Sequence, residues 1–404
     1  MTSTGPSSAL LRLRAAGLVA WVIGVQSIEL VATVGLVMTA VSVAPQLEAV
    51  SWRQWRWLLV WLAWVLVVPL VGGALPTGTG VARTLDWLAM PLVAFAVWSL
   101  PSRRVVMLAL GVTLALSCLA AGLQHVGAFP DPESLTFLEW TKLPFARVTE
   151  PIPNSPGRFM GGGLIFHRLK FAHVSALAIV ALVFAGARSG PGRDRVLAFG
   201  LAIAATLSVW VFPHARMAAV ALVAALVVEV ALLAPRRRMG LVLAAVVLTA
   251  GSMTALLVDS VRERLASALT AEGGGDRGEI LATGVRAVAK HPFIGVGLGQ
   301  FRPSLFADAT TPTHVLENPG KAHNQFLSMA AEVGLPGAAL FVLMLASLAF
   351  RAQRTSEGIL TLASLTLFVG LSLAHDPLFQ PTFSMSIVLA LGAGLRDGTT
   401  EALS

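Results

Sequence analysis

The chain consists of long apolar stretches separated by short segments that contain arginine, and this alternation limits its possible folds more than any other feature. A helix needs about 20 mostly apolar residues to cross roughly 30 Å of hydrocarbon, and such stretches recur throughout the 404 residues. Only 12% of the residues are Asp, Glu, Lys or Arg, whereas a globular protein has about 25%. A soluble surface cannot be built from this composition, and a disordered chain would hold fewer aliphatic residues. The sequence therefore predicts an all-α polytopic membrane protein.

The apolar runs predict ten membrane spans, and a longer N-terminal run supplies two more. The N-terminal run covers residues 11–50, which is enough for two short helices with Glu29 near the turn between them. The other predicted spans are 57–75, 83–101, 104–124, 171–188, 195–212, 214–234, 239–258, 325–350, 357–375 and 380–395. We therefore expect twelve transmembrane helices.

These spans divide the chain into three predicted regions. Residues 1–258 would hold transmembrane helices 1–9, with a periplasmic loop at 125–170. Residues 259–323 would form a large periplasmic helical loop, and residues 324–404 would hold transmembrane helices 10–12. A single cysteine, Cys118, excludes an intramolecular disulfide.

The arginines predict the orientation, because Lys and Arg accumulate in cytoplasmic connections. The short connections on one side contain Arg12, Arg14, Arg53, Arg56, Arg103, Arg104, Arg188, Arg193, Arg195, Arg236, Arg237, Arg238, Arg351, Arg354 and Arg396. Two crossings in the N-terminal run bring its start and the next arginines to the same side. We therefore expect both termini in the cytoplasm, and we interpret the net charge of +8 as an orientation signal rather than a nucleic-acid-binding surface.

The long connections lie on the opposite, outer side, and loops of this length are usually functional. The longer loop has a helical pattern of its own, with Asp276 as a possible N-cap and Ile280, Leu281, Val285 and Val288 as apolar positions. We therefore expect the chemistry on the outer face.

A polar trio, His323 to Gln325, stands where the outer loop becomes a membrane helix, and Gly334 and Pro336 interrupt that helix farther on. One interpretation is an interfacial histidine at a helix cap, with glycines that permit close helix packing. The alternative is a general base, because the positive end of a helix disfavours imidazolium and favours the neutral ring that accepts a proton.

A second candidate is Arg216, at the outer mouth of a span that otherwise looks uncharged. Pro213 is expected in the first turn of that helix. Arginine beside hydrocarbon is costly, so its side chain either reaches the membrane surface or faces a cavity and binds an anion. Its planar fork suits phosphate oxygens.

The long loop adds Arg277 and the segment "HPFIGVGLGQF", residues 291–301. Arginines of this kind are often solvated charges on a helix face. The glycines suggest a nucleotide-binding loop, but the Lys-Ser/Thr ending is absent, so we interpret the segment as a tight turn. His375 and Asp376 mark a further outer mouth.

The first loop contributes the acidic pair Asp131 and Glu133 and the Gly161-Gly162-Gly163 run. Two carboxylates without a third ligand are a weak metal signal, and solvated loop acids are the alternative. Its cationic and histidine side chains are Arg147, Arg158, His167, Arg168, Lys170 and His173. Those at the start of a span can contact lipid phosphates, including those of ordinary membrane lipids.

Three of these patterns together resemble the O-antigen ligase and O-antigen polymerase superfamily. The pair His323-Asn324, followed after nine residues by Gly334, is similar to the ligase signature. Ala215-Arg216 stands where the family usually has Ser-Arg, and the stretch from Arg277 through "HPFIGVGLGQF" resembles the family's Arg, helix and "hP-x-x-G-x-G" run, without the Trp often seen after the Arg. The resemblance covers residues 213–341.

The resemblance implies a metal-independent, inverting glycosyltransferase without a cofactor, with a GT-C-like helical fold in the bacterial inner membrane and its active site on the periplasmic face. The donor would be O-antigen polysaccharide on undecaprenyl diphosphate, and the acceptor a hydroxyl of lipid A-core. His323 would be the general base, with Asn324 and Gly334 in support. Arg216 and Arg277 would stabilise the leaving diphosphate, with Arg147, Arg158, Arg168 and Lys170 as further diphosphate-binding candidates.

Three alternatives stay open. An O-antigen polymerase would extend the lipid-linked glycan, and a protein O-oligosaccharyltransferase would move it to a protein; members of that kind tend to have an additional C-terminal region. A secondary transporter with twelve helices is the third, although the predicted spans are almost free of charge at mid-membrane. The sequence leaves the oligomeric state open.

Overall fold

The computed structural model describes residues 7–71, 76–128, 150–152, 155–165, 167–234, 277–308, 310–311, 313, 316 and 322–395. Helices dominate this part of the chain, which confirms the helical membrane class. The α-helices are α1 (Ser8–Val25), α2 (Glu29–Val43), α3 (Arg56–Val71), α4 (Gly78–Leu85), α5 (Ala89–Trp98), α6 (Arg104–His125), α7 (Arg168–Arg188), α8 (Arg193–Val211), α9 (Arg216–Leu233), α10 (Arg277–Lys290), α11 (Phe301–Ala307), α12 (Gln325–Ala352), α13 (Gly358–Ser372) and α14 (Pro381–Ala393).

Short elements connect these helices. The 3₁₀ turns are Ala44–Ala49, Trp52–Trp55, Asp86–Leu88, Gly163–Ile165 and Pro377–Phe379. A minimal antiparallel hairpin pairs β1 (Glu150–Pro151) with β2 (Phe159–Met160). This hairpin is an exception to the all-α prediction within the described residues.

Eight helical segments of the described chain are long and apolar enough to cross a membrane. They are Ser8–Val25, Glu29–Ala49, Gly80–Trp98, Arg104–His125, Arg168–Arg188, Arg193–Val211, Arg216–Leu233 and Gln325–Ala352. The apolar helices α3, α13 and α14 occupy three further predicted spans but are shorter. The remaining predicted span, 239–258, lies outside the described residues, so the count of twelve stays a prediction.

The N-terminal run forms two helices, as predicted, with Glu29 at the start of the second. Small residues let α1 and α2 pack closely. A Cβ atom on Gly24 would lie 2.0 Å from the backbone nitrogen of Ala32, and one on Gly35 would lie 2.2 Å from that of Trp21.

An aromatic cluster holds the centre of the bundle together. It contains Trp61 of α3, Trp87 of the following 3₁₀ turn, Phe341 of α12, Phe368 of α13 and Phe383 of α14, all fully buried. Trp61 and Phe341 are 5.2 Å apart between ring centroids, and Trp87 and Phe368 are 6.2 Å apart. Aromatic pairs at such distances stabilise beyond the area that they bury.

Contacts between helix ends define two ends of the bundle. At one end, His125 of α6 meets Phe212 just after α8, and His173 of α7 meets His375 just after α13. We call this the site end, because α9 begins there at Arg216. At the opposite end, Arg188 pairs with Glu357.

The arginines of the predicted short connections gather at the opposite end. The members that the structure describes there are Arg53, Arg56, Arg103, Arg104, Arg188, Arg193, Arg195, Arg351 and Arg354. Arg14 has a different part, because it is fully buried and donates to the Ser42 carbonyl at 2.9 Å and to Gln46 Oε1 at 2.8 Å. It ties α1 to the end of α2 as well as adding positive charge.

Ionisable side chains lie inside several of the described membrane segments, which corrects the expectation of spans almost free of charge. Glu229 of α9 and Glu332 of α12 are buried, and Arg83 and Asp86 lie within the segment Gly80–Trp98. The span that starts at Arg216 is therefore not otherwise uncharged.

Candidate functional site

His323 lies immediately before the helix that carries the polar trio. Asn324 is the N-cap of α12, and its Oδ1 accepts from the backbone N–H groups of Phe326 at 3.1 Å and Leu327 at 3.0 Å. His323 has a φ of +53°, a left-handed backbone that costs a non-glycine residue about 1–2 kcal/mol. The Asn324 side chain, and not that of His323, therefore accepts from the first N–H groups of the helix. The imidazole of His323 is half-buried.

Asn324 also connects α12 to the end of α13. Its Nδ2 donates to the carbonyl oxygen of Leu373 at 3.4 Å. One turn before Leu373, a Cβ atom on Gly370 would lie 2.9 Å from the Cβ of Ala221 in α9. Arg216 starts α9 about 7.5 Å of helix rise before Ala221. The end of α13 therefore lies between the helix starts that carry His323 and Arg216.

Arg216 is the first residue of α9 and is half-buried. Ala215 is the N-cap, with no side-chain hydrogen bond to the helix start. Pro213 lies before the cap, so the prediction that it occupies the first helical turn is wrong. His214 between them has a φ of +50°, which bends the chain sharply between α8 and α9.

Arg277 is the first residue of α10, although its side chain lies outside the described part of the chain. A Cβ atom on Gly284 would lie 2.8 Å from Leu327 and 3.4 Å from Ala322, so α10 packs beside His323 and the start of α12. Arg277 precedes Gly284 by about 10 Å of helix rise.

The predicted helix in the long loop is present, but its buried face differs from the prediction. Ile280, Thr283 and Gly284 face α12, whereas Leu281 and Val285 are exposed. Asp276, the predicted N-cap, lies outside the described residues. Which positions of α10 are buried depends on its packing against α12. The apolar pattern of a single helix does not reveal this packing partner.

The segment "HPFIGVGLGQF" docks on a break in α12. Gly334 has φ +76° and ψ 169° inside the helix, and Pro336 follows it. Proline has no N–H, so the regular helix pattern fails for the carbonyls one turn earlier. The docked segment and α3 supply donors for those carbonyls instead.

Three carbonyl oxygens at the break accept hydrogen bonds from outside α12. Val296 N donates to Ala331 O at 2.8 Å, and Gly297 N donates to Glu332 O at 3.0 Å. Trp64 Nε1 of α3 donates to Val333 O at 3.0 Å. In return, Leu335 N donates to Pro292 O at 2.8 Å. The segment predicted as a tight turn therefore acts as a clamp: its backbone forms hydrogen bonds with the backbone of α12 on both sides of the break.

Glycines make this docking possible. A Cβ atom on Gly295 would lie 2.3 Å from the Glu332 carbonyl carbon, and one on Gly334 would lie 2.2 Å from Phe293 O. Both glycines also have positive φ. The Glu332 side chain adds a contact by accepting from the backbone N–H groups of Gly299 and Phe301.

A buried polar stripe runs along α12 from Gln325, and its members Ser328 and Glu332 escaped the sequence interpretation. Gln325, Ser328 and Glu332 share one helix face and are all at most 3% exposed. Gln325 Oε1 accepts from Leu378 N at 3.0 Å, and Ser328 donates to Asp376. Their i, i+3, i+7 spacing in "QFLSMAAE" is the signal that could have found them.

A small cleft opens along this stripe. Gln325, Met329 and Glu332 line it together with Arg83 of α4. Arg83 and Glu332 line the same cleft, and electrostatic interaction between the guanidinium and the carboxyl group offsets part of the cost of burial. Arg83 is a further residue that sequence reasoning missed.

The first loop brings its described cations to the site end. The Gly161–Gly163 run docks on α6, since Gly162 N donates to Gln124 Oε1 at 2.7 Å and Gln124 Nε2 donates to Gly163 O at 3.0 Å. Gly161 N donates to Phe212 O at 2.9 Å, which fixes the hairpin beside the α8–α9 turn. Arg158 is exposed on the turn of this hairpin.

Arg168 and Lys170 occupy the first turn of α7 and are half-buried. His167 caps this helix, since its side chain accepts from Lys170 N at 3.4 Å. One turn farther in, His173 is fully buried, 3.3 Å from Gln380 Oε1 and 5.3 Å between ring centroids from His375. Arg147, Asp131 and Glu133 lie outside the described residues and stay predictions.

Outside the membrane segments, Lys290 ends α10 with an ion pair to Asp308 just after α11. Lys290 Nζ lies 2.7 Å from Asp308 Oδ2, and Thr310 donates to Oδ1. These hydrogen bonds hold the pKa of Asp308 below its usual range. The ion pair therefore connects the end of α10 to the chain just after α11, on either side of the docked segment.

Comparison with known protein families finds a match for the segment that carries these candidate residues. Residues 201–342 match the family model described as O-Antigen ligase. The matched range includes Arg216, Arg277, His323 and the break at Gly334. No curated protein sequence matches the chain. The described chain is that of a polytopic helical membrane protein, and its residues 201–342 match the O-antigen ligase family.

Proposed function

We propose that the protein is an O-antigen ligase, which transfers undecaprenyl-diphosphate-linked O-antigen polysaccharide to lipid A-core at the periplasmic face of the bacterial inner membrane. The observation that carries the proposal is the position of the family-matched segment. It supplies Arg216, Arg277 and His323, whose helices all start or pack around the beginning of α12. The arginine-rich opposite end would face the cytoplasm.

The reaction needs one proton acceptor and a stabilised leaving group. The acceptor hydroxyl oxygen attacks the anomeric carbon from the face opposite the diphosphate. The new carbon–oxygen bond forms as the bond from that carbon to the diphosphate oxygen breaks, and the electron pair leaves with the lipid diphosphate. The hydroxyl proton passes to the imidazole of His323. The configuration of the sugar is inverted.

Guanidinium groups suit the leaving diphosphate, because their forks bind phosphate oxygens in pairs and stay charged. Arg216 and Arg277 are assigned to this task. Arg168 and Lys170 at the start of α7, Arg158 on the hairpin, and Arg147 are the further diphosphate ligands. Negative charge develops on the diphosphate in the transition state, so fixed cations lower the barrier.

Asn324 and Gly334 position His323 without touching substrate. The Asn324 cap fixes the helix start that follows the histidine. The break at Gly334 lets residues 292–297 clamp α12, and that segment leads back to α10 and Arg277. The clamp therefore couples the two halves of the proposed site.

Product analysis separates this proposal from its alternatives. Purified protein would be given undecaprenyl-diphosphate-linked glycan and lipid A-core. The proposal predicts glycan on lipid A-core and release of undecaprenyl diphosphate. A longer lipid-linked glycan would instead identify a polymerase, glycan on an added protein acceptor an oligosaccharyltransferase, and uptake without a new glycolipid a transporter.

The diphosphate assignment predicts a graded effect at Arg216. Arg216→Ala is expected to lower kcat by about 10²- to 10³-fold, as for other lost transition-state donors. Arg216→Lys keeps the charge but loses the fork and should fall between Ala and the native residue. Arg195→Ala, at the opposite end of the bundle, is the matched control and should ligate normally. Equal activity of Arg216→Ala and the control would contradict the assignment.

A further inference from the structure

A large apolar crevice lies away from the proposed site, toward the opposite end of the bundle. Its cavity volume is about 380 Å³. Small-molecule pockets have roughly 300–1,000 Å³. Helices α1, α6, α7 and α14 form its walls, and none of the residues assigned to the ligation site lines it.

The crevice is long enough and apolar enough to hold a hydrocarbon chain. Its lining follows α7 from Val174 to Ser189, about 22 Å at the rise of a helix. This exceeds half of the roughly 30 Å hydrocarbon core of a bilayer. The walls are made of side chains such as Leu110 of α6 and Leu177 and Phe184 of α7. Burial of each methylene group of a chain there is favourable.

Two arginines line the crevice at its end. Arg103 is held in place, because its Nε donates to Val97 O at 3.1 Å and its guanidinium lies 3.8 Å from the ring centroid of Trp98. Arg188 lies 3.3 Å from the carboxylate of Glu357, and its side chain is 49% exposed. Among the described residues at this mouth, two guanidinium groups thus lie beside one carboxylate, so cationic side chains predominate there.

The start of α6 adds to this positive charge. Arg103 is its N-cap residue, and the first backbone N–H groups of an α-helix have no partner within the helix. The positive end of the helix dipole favours a nearby anion. The mouth is thus cationic and the channel behind it is apolar, which together match a lipid with an anionic headgroup.

We propose that this crevice binds an anionic phospholipid, with its phosphate at Arg103 and Arg188 and an acyl chain along α7. The tail of the polyprenyl donor is the other lipid chain to consider. Its diphosphate belongs at the site end, so its tail has no use for two arginines at the far end of the channel. Charge complementarity therefore favours the phospholipid. The choice of the phospholipid over the polyprenyl tail rests on the proposed function, because that function places the diphosphate at the site end.

The test measures lipid that stays with the purified full-length protein in mild detergent. Native mass spectrometry would count bound phosphatidylglycerol, with phosphatidylcholine and a polyprenyl diphosphate as separate additions. Arg103→Gln with Arg188→Gln should lower bound phosphatidylglycerol about 30-fold, since each basic residue near a lipid headgroup contributes about fivefold. The matched control is Arg193→Gln with Arg195→Gln, which removes the same charge from exposed residues outside the crevice.

A second variant tests the channel rather than the charge. Ala181→Phe places a ring inside the crevice and leaves both arginines intact, so it should also reduce bound phosphatidylglycerol while thermal unfolding shows a folded protein. The inference is overturned if both crevice variants retain the native amount of phosphatidylglycerol. It is also overturned if the control pair loses as much, or if the polyprenyl diphosphate displaces phosphatidylglycerol from the native protein at equal concentration.

Discussion

Backbone strain at His323 coincides with the catalytic role proposed for this residue. Its left-handed backbone, at φ +53°, is unusual for a residue with a β-carbon. Such strain persists where the surrounding structure over-determines it, and it clusters at functional sites. Here the Asn324 cap and the link to Leu373 fix the residue that follows. The sequence indicated a histidine at a helix start, but it could not show that the cap and the strain belong to neighbouring residues.

Ala215 offers a prediction at the same scale. It is the N-cap of α9 with φ −96° and ψ 82°, and its side chain cannot accept from the helix N–H groups. Ala215→Ser supplies an acceptor at that position, where a serine cap contributes about 0.5–2 kcal/mol. We expect a higher melting temperature in thermal unfolding of the detergent-solubilised protein. Ala215→Val offers no acceptor and serves as the control; an equal rise for both variants would exclude capping as the cause.

The broken helix α12 is the element on which the site depends. Sequence reasoning recognised the glycines and the proline at the break, but it took "HPFIGVGLGQF" for an isolated turn. Backbone pairing between segments about 35 residues apart leaves no periodic signal, because the partners are carbonyl and amide groups common to every residue. The glycines became interpretable only once Val296 and Gly297 were seen to donate to α12.

Gly334 is predicted to be irreplaceable in this clamp. Its φ and ψ lie in a region open essentially to glycine alone, and an added Cβ would lie 2.2 Å from Phe293 O. Gly334→Ala should therefore destabilise the protein by about 3 kcal/mol or more and abolish ligation. Thermal unfolding and the ligation assay check this.

The matched control for that change is Gly200→Ala in the middle of α8. An added Cβ there meets no atom within 4 Å, and alanine is the better helix former by about 0.5–1 kcal/mol. It should be neutral or stabilising. Comparable losses for the two variants would mean that the break at Gly334 has no special role.

The ion pair between α10 and the end of α11 predicts a pH effect. The pKa of Asp308 is depressed in the folded protein, whereas an unfolded aspartate titrates near about 3.9. The contribution of the pair is therefore fully present above the unfolded pKa and is lost as the pH falls through the lower folded pKa. Asp308→Asn should lower the melting temperature slightly at neutral pH, and the difference from the native protein should shrink below pH of about 4. A difference that is constant down to pH of about 2 would contradict it.

At the scale of the whole molecule, the sequence predicted the class and most helices because both depend on apolar length and charge scarcity. It also predicted which arginines share an end, since the structure gathers Arg53, Arg103, Arg188 and Arg351 together. It did not predict that Arg83 and Glu332 line one cleft, because isolated ionisable residues in apolar runs show nothing of their partners in space. Nor did it predict the apolar crevice, which is formed by helices far apart in the chain.

The sequence supplied the candidate residues of the proposed site, but not the structure around them. His323, Arg216 and Arg277 were named from local patterns and stay candidates, and the structure shows which helices they precede or begin. Ser328 and Glu332, which continue the stripe from Gln325, were missed because the i, i+3, i+7 spacing lies within an otherwise ordinary apolar run.

The rate of ligation by His323 variants tests the central claim most directly. Glycine and asparagine both tolerate the left-handed backbone at this position, so His323→Gly and His323→Asn should fold like the native protein in thermal unfolding. Both should lower kcat by about 10²- to 10⁴-fold, the usual contribution of a general base. His291→Ala, an exposed histidine in the same outer region, should keep the native rate. Folded His323→Gly and His323→Asn proteins that ligate at the native rate would contradict the account.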